Sequence, residues 1–166
     1  MARAAGSTQQ LATVSRGAAR RAAPSAPSEH PGLVPTDSAA LRDAEREIAR
    51  EAVFIDAPTM AGFLQQHLGQ KLTAYLAGVN DVKAVGQWAR HRNEPSAIVR
   101  ERLRAAYHVT ALFTFAYSDR AAQAWFFGAN AALDDHAPAA SLRNAETPEE
   151  IARVVPVARA FVRSAR

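Results

Sequence analysis

The chain has 166 residues, a length that suits one compact domain or two very small ones. It contains no cysteine, which excludes disulfide bonds, thiol catalysis and cysteine-ligated zinc. Its formal net charge is +4 at pH 7 and most of its cations are arginines, so phosphate backbones or acidic partners are favoured only modestly. No apolar run approaches the roughly 20 residues that span a bilayer, and we expect a cytoplasmic protein without a membrane partner.

Residues 1–40 differ in composition from the rest of the chain. Four arginines precede the first acid, Glu29, and four prolines lie among Ser, Ala and Gly. Such a stretch cannot bury enough apolar surface to offset its ordering entropy, which predicts a disordered basic arm. Its composition also resembles an organelle transit peptide. The residues leave open whether the arm contacts DNA, is only a tail, or follows a wrongly assigned start codon.

Helical periodicity begins after the candidate caps at Thr36 to Ser38 and predicts a connecting helix within residues 41–58. Apolar residues three or four positions apart define its inner face: Leu41, Ala44, Ile48 and Ala52. Charged residues would lie mostly on its solvent face: Glu45, Arg46, Glu47 and Arg50. Pro58 would stop this helix, and Thr59 is a candidate cap for the next one, which ends at Gly69.

The segment 59–118 predicts a helix-turn-helix domain. A short helix ends near Gly78, and Asn80 or Asp81 can accept hydrogen bonds from the first amides of a second helix at about 82–90. That second helix would present side chains that bind base edges or phosphates: Lys83, Gln87, Arg90 and Arg92. The alternative is an ordinary helical hairpin whose basic residues are only solvated. A long apolar helix from about 97 to 117 would then be central in a bundle.

The segment 119–166 predicts further helices. Ser118 or Asp119 would cap a helix that contains Trp125-Phe126-Phe127, followed by a loop over 129–145 with a short turn near Leu142. Thr147 begins the last helix with a cap, a proline and a glutamate in the expected order. Pro156 falls inside that helix and should kink it or split it in two.

Few residues in the chain form a pattern typical of catalysis. The aromatic cluster at 125–127 could be core or a partner interface. Asp134-Asp135-His136 favours a loop or cap over a metal site, and the five histidines show no paired ligand spacing. No phosphate-binding glycine loop and no nucleophile motif is present. We therefore expect no enzymatic activity, no cofactor and no metal.

The run from Leu72 to Val162 resembles the Xre/MbcA/ParS antitoxin family. Residues 72–109 are similar to its Xre-type helix-turn-helix, and residues 124–162 are similar to its toxin-binding domain. In that domain a tryptophan precedes Gly-x-Asn and a later Pro-x-x-x-Leu. The corresponding residues are Trp125, Gly128, Asn130, Leu133, Pro138 and Leu142. The basic arm and the helix at 41–54 lie outside this pattern, and Pro156 departs from it.

The resemblance implies an antitoxin of a type II toxin–antitoxin system. Its partner would be a RES-domain toxin that degrades NAD, bound through the C-terminal region, and it would dimerise, assemble further with the toxin and bind its own operator DNA. Toxin contact would fall on Trp125, Phe126, Phe127, Asn130, Phe161, Val162 and Arg163. DNA contact would fall on Lys83, Gln87, Arg90 and Arg92.

We therefore expect an all-α protein with four parts. These are a disordered arm (1–40), a connecting helix (41–58), an Xre-like helix-turn-helix domain (59–118) and a toxin-binding domain (119–166). Two alternatives remain open at this point. One is a stand-alone transcription regulator whose C-terminal half dimerises, and the other is a helical scaffold or targeting protein that does not bind DNA.

Overall fold

The computed structural model describes residues 38–164, and every described element is helical, with no strand among them. The all-α prediction is confirmed, whereas the predicted disordered arm falls almost entirely outside the described residues. In chain order the α-helices are α1 (Ser38–Phe54), α2 (Ala57–Leu68), α3 (Gln70–Ala77), α4 (Lys83–Ala89), α5 (Ala97–Ala116), α6 (Asp119–Phe127), α7 (Pro138–Asn144), α8 (Pro148–Ala152) and α9 (Val154–Ser164). A short 3-10 helix, Ala131–Leu133, lies between α6 and α7.

Helix α5 is the centre of the bundle, as its apolar composition predicted. It packs against α1, α2, α3, α6, α8 and α9. Its buried residues include Leu103, Val109, Leu112 and Phe113, which point to more than one side of the helix. A helix that is apolar on several sides can bury that surface only when other helices surround it, which explains why α5 lies at the centre of the bundle.

Helix α1 shows one clear error of the sequence prediction. Leu41 and Ala52 are buried, as expected for the inner face. Glu45 was predicted to lie mostly on the solvent face but is only 5% exposed. The cause is distant in sequence, because the guanidinium of Arg163 on α9 donates to both carboxylate oxygens of Glu45. A paired carboxylate can be buried at far lower cost than an unpaired one.

A side-chain cap begins α2, and glycines end both α2 and α3. The side chain of Asp56 accepts a hydrogen bond from the backbone N–H of Thr59 at 2.9 Å, so Asp56 is the cap and the prediction of Thr59 was wrong. Pro58 does not end α1, as was predicted, since α1 ends at Phe54; it lies in the first turn of α2, where its missing N–H costs nothing. Gly78, with φ of 76°, ends α3 in the left-handed conformation, which confirms the predicted turn.

The C-terminal elements confirm the predicted caps and correct one loop. Ser118 caps α6, and Thr147 forms a complete capping box with Glu150 at the start of α8. The last helical segment is split in two, and Pro156 lies in the first turn of α9 because it cannot donate a hydrogen bond back into α8. Residues 129–145 were predicted as a loop, but they contain the 3-10 helix and α7. Within residues 38–164, no helix has both the length and the apolar character needed to cross a bilayer.

Candidate functional site

An apolar groove of about 490 Å³ lies at the C-terminal end of α5. Residues of α5, α6, the loop after α6 and α9 line it: Phe113, Tyr117, Ala121, Ala124, Trp125, Gly128, Ala129, Asn130 and Phe161. None of these side chains is charged. Four of the nine are aromatic, in a chain whose aromatic content is only 7%, so the groove concentrates a scarce residue type.

The aromatic rings of the groove pack on one another. Phe113 stacks on Phe161, with ring centroids 5.6 Å apart and an interplanar angle of 22°. Phe113 also packs against Trp125 at a centroid distance of 5.2 Å. Such pairs contribute about 0.5–1.5 kcal/mol each beyond the area they bury. Phe161 is nevertheless 42% exposed, so part of its ring faces solvent at the rim of the groove.

Trp125 is held deep in the groove wall and only 7% exposed. Its indole N–H is buried and has no hydrogen-bond partner within the described part of the chain. A buried indole N–H usually finds an acceptor, because leaving it unpaired costs about 1–3 kcal/mol. The wall therefore contains an unused donor beside an apolar surface.

Asn130 organises the loop that closes one end of the groove. Its side-chain oxygen accepts a hydrogen bond from the N–H of Ala132 at 3.0 Å and so caps the 3-10 helix. Its backbone carbonyl accepts from the N–H groups of Leu133 and Asp135 at 2.9 and 3.0 Å. The shape of this end of the groove therefore depends on Asn130, whichever partner the groove binds.

The seven residues predicted to contact a toxin are placed differently from one another. Trp125, Asn130 and Phe161 come together in the groove. Phe126 and Val162 are buried in the core and support the groove without facing it. Phe127 is 64% exposed but does not line the groove. The sequence prediction did not assign Phe113 or Tyr117 to this site: it placed Phe113 on the apolar surface of the central helix and gave Tyr117 only as the end of that helix.

Arg163, the remaining member of that set, belongs to a polar cluster that attaches α9 to α1 and α5. It pairs with the buried carboxylate of Glu45. One turn earlier, the Arg159 guanidinium donates to Nε2 of buried His108 at 3.1 Å. Arg159 and Arg163 are four residues apart and so share one face of α9, a spacing that was visible in the sequence. The cluster fixes the helix that carries Phe161.

His108 gives this cluster a pH dependence. Burial, and then the charge of Arg159, lower the pKa of His108 from 6.5 to about 4. Above pH 6.5 the histidine is neutral in both the folded and unfolded chain. As the pH falls, the unfolded chain takes up the proton first, so stability decreases between about pH 6.5 and 4 and is unaffected by this group at higher pH.

We expect the free energy of unfolding to be about 2 kcal/mol lower at pH 5 than at pH 8 because of His108. Urea unfolding of the full chain at the two pH values measures the difference. The variant His108→Gln keeps an acceptor for Arg159 but cannot be protonated, so it should lose most of this pH dependence. An equal pH dependence in both proteins would assign the effect to other groups.

A second candidate surface is the hairpin formed by α3 and α4. Val85 and Trp88 of α4 are buried, as predicted for its inner side. The structure places three of the four predicted DNA-contacting residues in solvent: Lys83, Arg90 and Arg92. Gln87 is only partly exposed, and its side-chain oxygen accepts a hydrogen bond from Asn93 at 2.6 Å. The outer side of the hairpin thus carries three exposed cations and the Gln87 amide, whose oxygen is already hydrogen-bonded to Asn93.

The turn before α4 also follows the predicted chemistry. The carboxylate of Asp81 accepts a hydrogen bond from the N–H of Lys83 at 2.9 Å.

Among the described residues, no group of three or more His, Cys, Asp or Glu side chains could hold a metal ion. Protein-family models, curated proteins and solved structures give no match to the chain. The groove, the hairpin and the motif spacing are therefore the observations from which a function can be inferred.

Proposed function

We propose that the chain is a cytoplasmic type II antitoxin that binds and neutralises a RES-domain, NAD-degrading toxin through the aromatic groove. The observation that carries the proposal is the convergence of Trp125, Asn130 and Phe161 on one uncharged groove. These three residues are among the seven to which the motif resemblance assigns toxin contact. The sequence motif and the surface geometry thus favour the same part of the molecule.

The chemistry of the groove favours a protein segment with an apolar side chain. The groove volume alone would also suit a small molecule, but ligand pockets usually offer several convergent polar groups. Here the Asn130 oxygen already caps the 3-10 helix, and the Tyr117 hydroxyl donates to the carbonyl of Val162 at 3.3 Å. Aromatic anchors in apolar depressions are typical of the energetic centres of protein interfaces.

A neutralisation experiment tests this proposal. The proposal expects a RES-domain protein to be encoded next to the gene for this chain. That protein is expressed in a bacterial host, with and without the full chain, and cellular NAD and growth are measured. We expect the toxin alone to deplete NAD and arrest growth, and co-expression to restore both. Equal NAD depletion with and without the chain would overturn the proposal.

We also propose that the α3–α4 hairpin binds operator DNA and so autoregulates the operon. The three exposed cations on its outer side support this function, since they can neutralise phosphates and contact base edges. A homodimer, or a larger assembly with the toxin, would present two hairpins to two half-sites.

Removing either terminal cation of the hairpin should weaken this binding. Lys83→Ala and Arg92→Ala are each expected to lower affinity for a duplex of the chain's own promoter several-fold. Each should also reduce the slope of log affinity against log salt by about 1, because one phosphate contact is lost. Fluorescence anisotropy over a salt series measures both quantities. Arg120→Ala, which removes an exposed arginine on α6, should change neither.

The alternative functions make different predictions. A stand-alone regulator would bind its promoter with the same salt dependence but would leave the RES-domain protein active. A helical scaffold would bind neither the promoter nor the toxin. Measuring NAD protection and promoter binding on the same preparation therefore separates all three interpretations.

A further inference from the structure

The turn between α3 and α4 is held by two arginines from elements that follow it in the chain. Arg143 of α7 donates from Nη2 to the side-chain oxygen of Asn80 at 2.7 Å and from Nη1 to the carbonyl of Tyr75 at 3.3 Å. Its guanidinium carbon also lies 4.7 Å from the centre of the Tyr75 ring. One side chain of α7 thus contacts the last turn of α3 and the residue that leads toward α4.

Arg102 of α5 also makes a hydrogen bond at the C-terminal end of α3. It donates from Nη1 to the carbonyl of Ala77 at 3.1 Å and from Nη2 to the carbonyl of Ala145 at 2.7 Å. Ala77 is the last residue of α3, and Ala145 follows directly after α7. A single guanidinium therefore joins the C-terminal ends of α3 and α7.

These contacts satisfy backbone groups that a helix end leaves unpaired. The last carbonyls of a helix have no partner within it. At the end of α3, the N–H groups of Gly78 and Val79 donate back to Tyr75 and Ala74. The carbonyl of Ala77 receives its hydrogen bond from Arg102 instead. The end of α3 is thus completed by side chains of α5 and α7 as well as by its own backbone.

The arginines also join two parts of the chain that the sequence predicted as separate domains. The α3–α4 hairpin belongs to segment 59–118, whereas α7 belongs to segment 119–166, and α3 and α7 pack directly on each other. Burying part of a guanidinium is costly unless its hydrogen bonds are well placed. Together the two arginines make four hydrogen bonds, whereas Nε of Arg102 is buried without a partner among the described residues.

We propose that Arg143 is a positioning residue for the DNA-binding hairpin, with Arg102 supporting it. By tying Asn80 and Tyr75 to α7, Arg143 sets the angle at which α4 and its exposed cations are presented. This role rests on the proposed DNA binding. It makes the orientation of α4 dependent on the C-terminal half of the chain.

The test must separate positioning from a direct phosphate contact, since Arg143 is itself a cation. Arg143→Ala removes both the charge and the hydrogen bonds. Asn80→Ala removes only the acceptor and leaves every cation in place. Both variants and the double variant are made in the full chain, and promoter affinity is measured over a salt series. Hydrogen exchange of the amides at 79–90 is measured on the same proteins, with α5 as the internal reference.

We expect Arg143→Ala to lower promoter affinity about tenfold with an unchanged salt slope, since no phosphate contact is lost. Amides at 79–90 should exchange about tenfold faster, whereas those of α5 should not change. Asn80→Ala should shift both readouts in the same direction, and the double variant should be no weaker than Arg143→Ala because the two act through one contact. Arg143→Lys should not restore full affinity, because a single ammonium nitrogen lacks the planar fork with which the guanidinium reaches both acceptors.

A salt slope lowered by about 1 in Arg143→Ala would make the residue a phosphate contact and overturn the positioning role. Promoter binding with unchanged exchange at 79–90 would also overturn that role, while leaving the proposed DNA binding intact. A wild-type chain that binds no duplex would remove the proposed DNA binding and this role with it.

Discussion

Replacing Phe161 by aspartate is expected to lower the affinity for the proposed toxin partner at least about 100-fold, or about 2.7 kcal/mol. Phe161 forms part of the groove rim, stacks on Phe113 and is 42% exposed. A partner side chain seated in the groove would therefore bury the remaining part of this ring. Aspartate removes that apolar contact and adds a charge that must be desolvated in an uncharged groove. Isothermal titration calorimetry of the full chain with the purified RES-domain protein measures the change.

Phe115 provides a matched control for this prediction. It is the same residue type, is 47% exposed on α5, and does not line the groove. Phe115→Asp should bind the toxin within about twofold of the wild type, because its side chain lies outside the proposed interface. Circular dichroism and thermal unfolding check that both variants remain folded. Equal weakening by the two substitutions would show that the groove is not the docking site.

Replacing Gly78 by alanine is expected to lower the free energy of unfolding by about 2–5 kcal/mol. Two costs combine at this position. The backbone φ of 76° is in the left-handed region, which costs an L-residue about 1–2 kcal/mol. An added Cβ would also lie 2.1 Å from Nη1 of Arg102, so that side chain must move and lose its hydrogen bonds to Ala77 and Ala145.

Gly69 and Gly62 show the effect of an added Cβ where no side chain lies in the way. Gly69 has a φ of 80° and a ψ of 159°, a region essentially restricted to glycine, so Gly69→Ala should cost about 1–3 kcal/mol although nothing lies within 4 Å of an added Cβ. Gly62 lies within α2 with open space around it, so Gly62→Ala should stabilise the chain by about 0.5–1 kcal/mol. Urea unfolding of the three variants measures the series. Gly78→Ala should cost less in an Arg102→Ala background, and an equal cost in both backgrounds would remove the role assigned to Arg102.

Much of the fold was predictable because it follows from local chemistry. The glycine turn at Gly78, the cap at Thr147 and the split near Pro156 each depend on residues only a few positions apart. Glu45 lies four residues after Leu41 and three before Ile48, so the spacing placed it on the inner face. Its partner Arg163, 118 positions away, could not be read from any local pattern. Helix α7 was missed because its seven residues are too few to show a helical stripe.

The candidate site was predictable only in part for a similar reason. Three consecutive aromatics on a helix point about 100° apart, so they cannot all face one surface. The structure buries Trp125 and Phe126 and exposes Phe127, a distribution that depends on the packing of α6. The other rings of the groove belong to Phe113 on α5 and to Tyr117, which directly follows α5 and lies four residues after Phe113. That spacing indicates one shared face, but it does not tell which neighbour would leave the face uncovered.

Hydrogen exchange of the full chain, with and without the purified RES-domain toxin, tests the central claim most directly. The claim is that the aromatic groove is the toxin-docking surface. It predicts slower exchange in the complex at the segments that form the groove, residues 113–117, 121–130 and 158–164, with residues 83–92 unchanged. Unchanged exchange at those three segments in a complex that does form would contradict it.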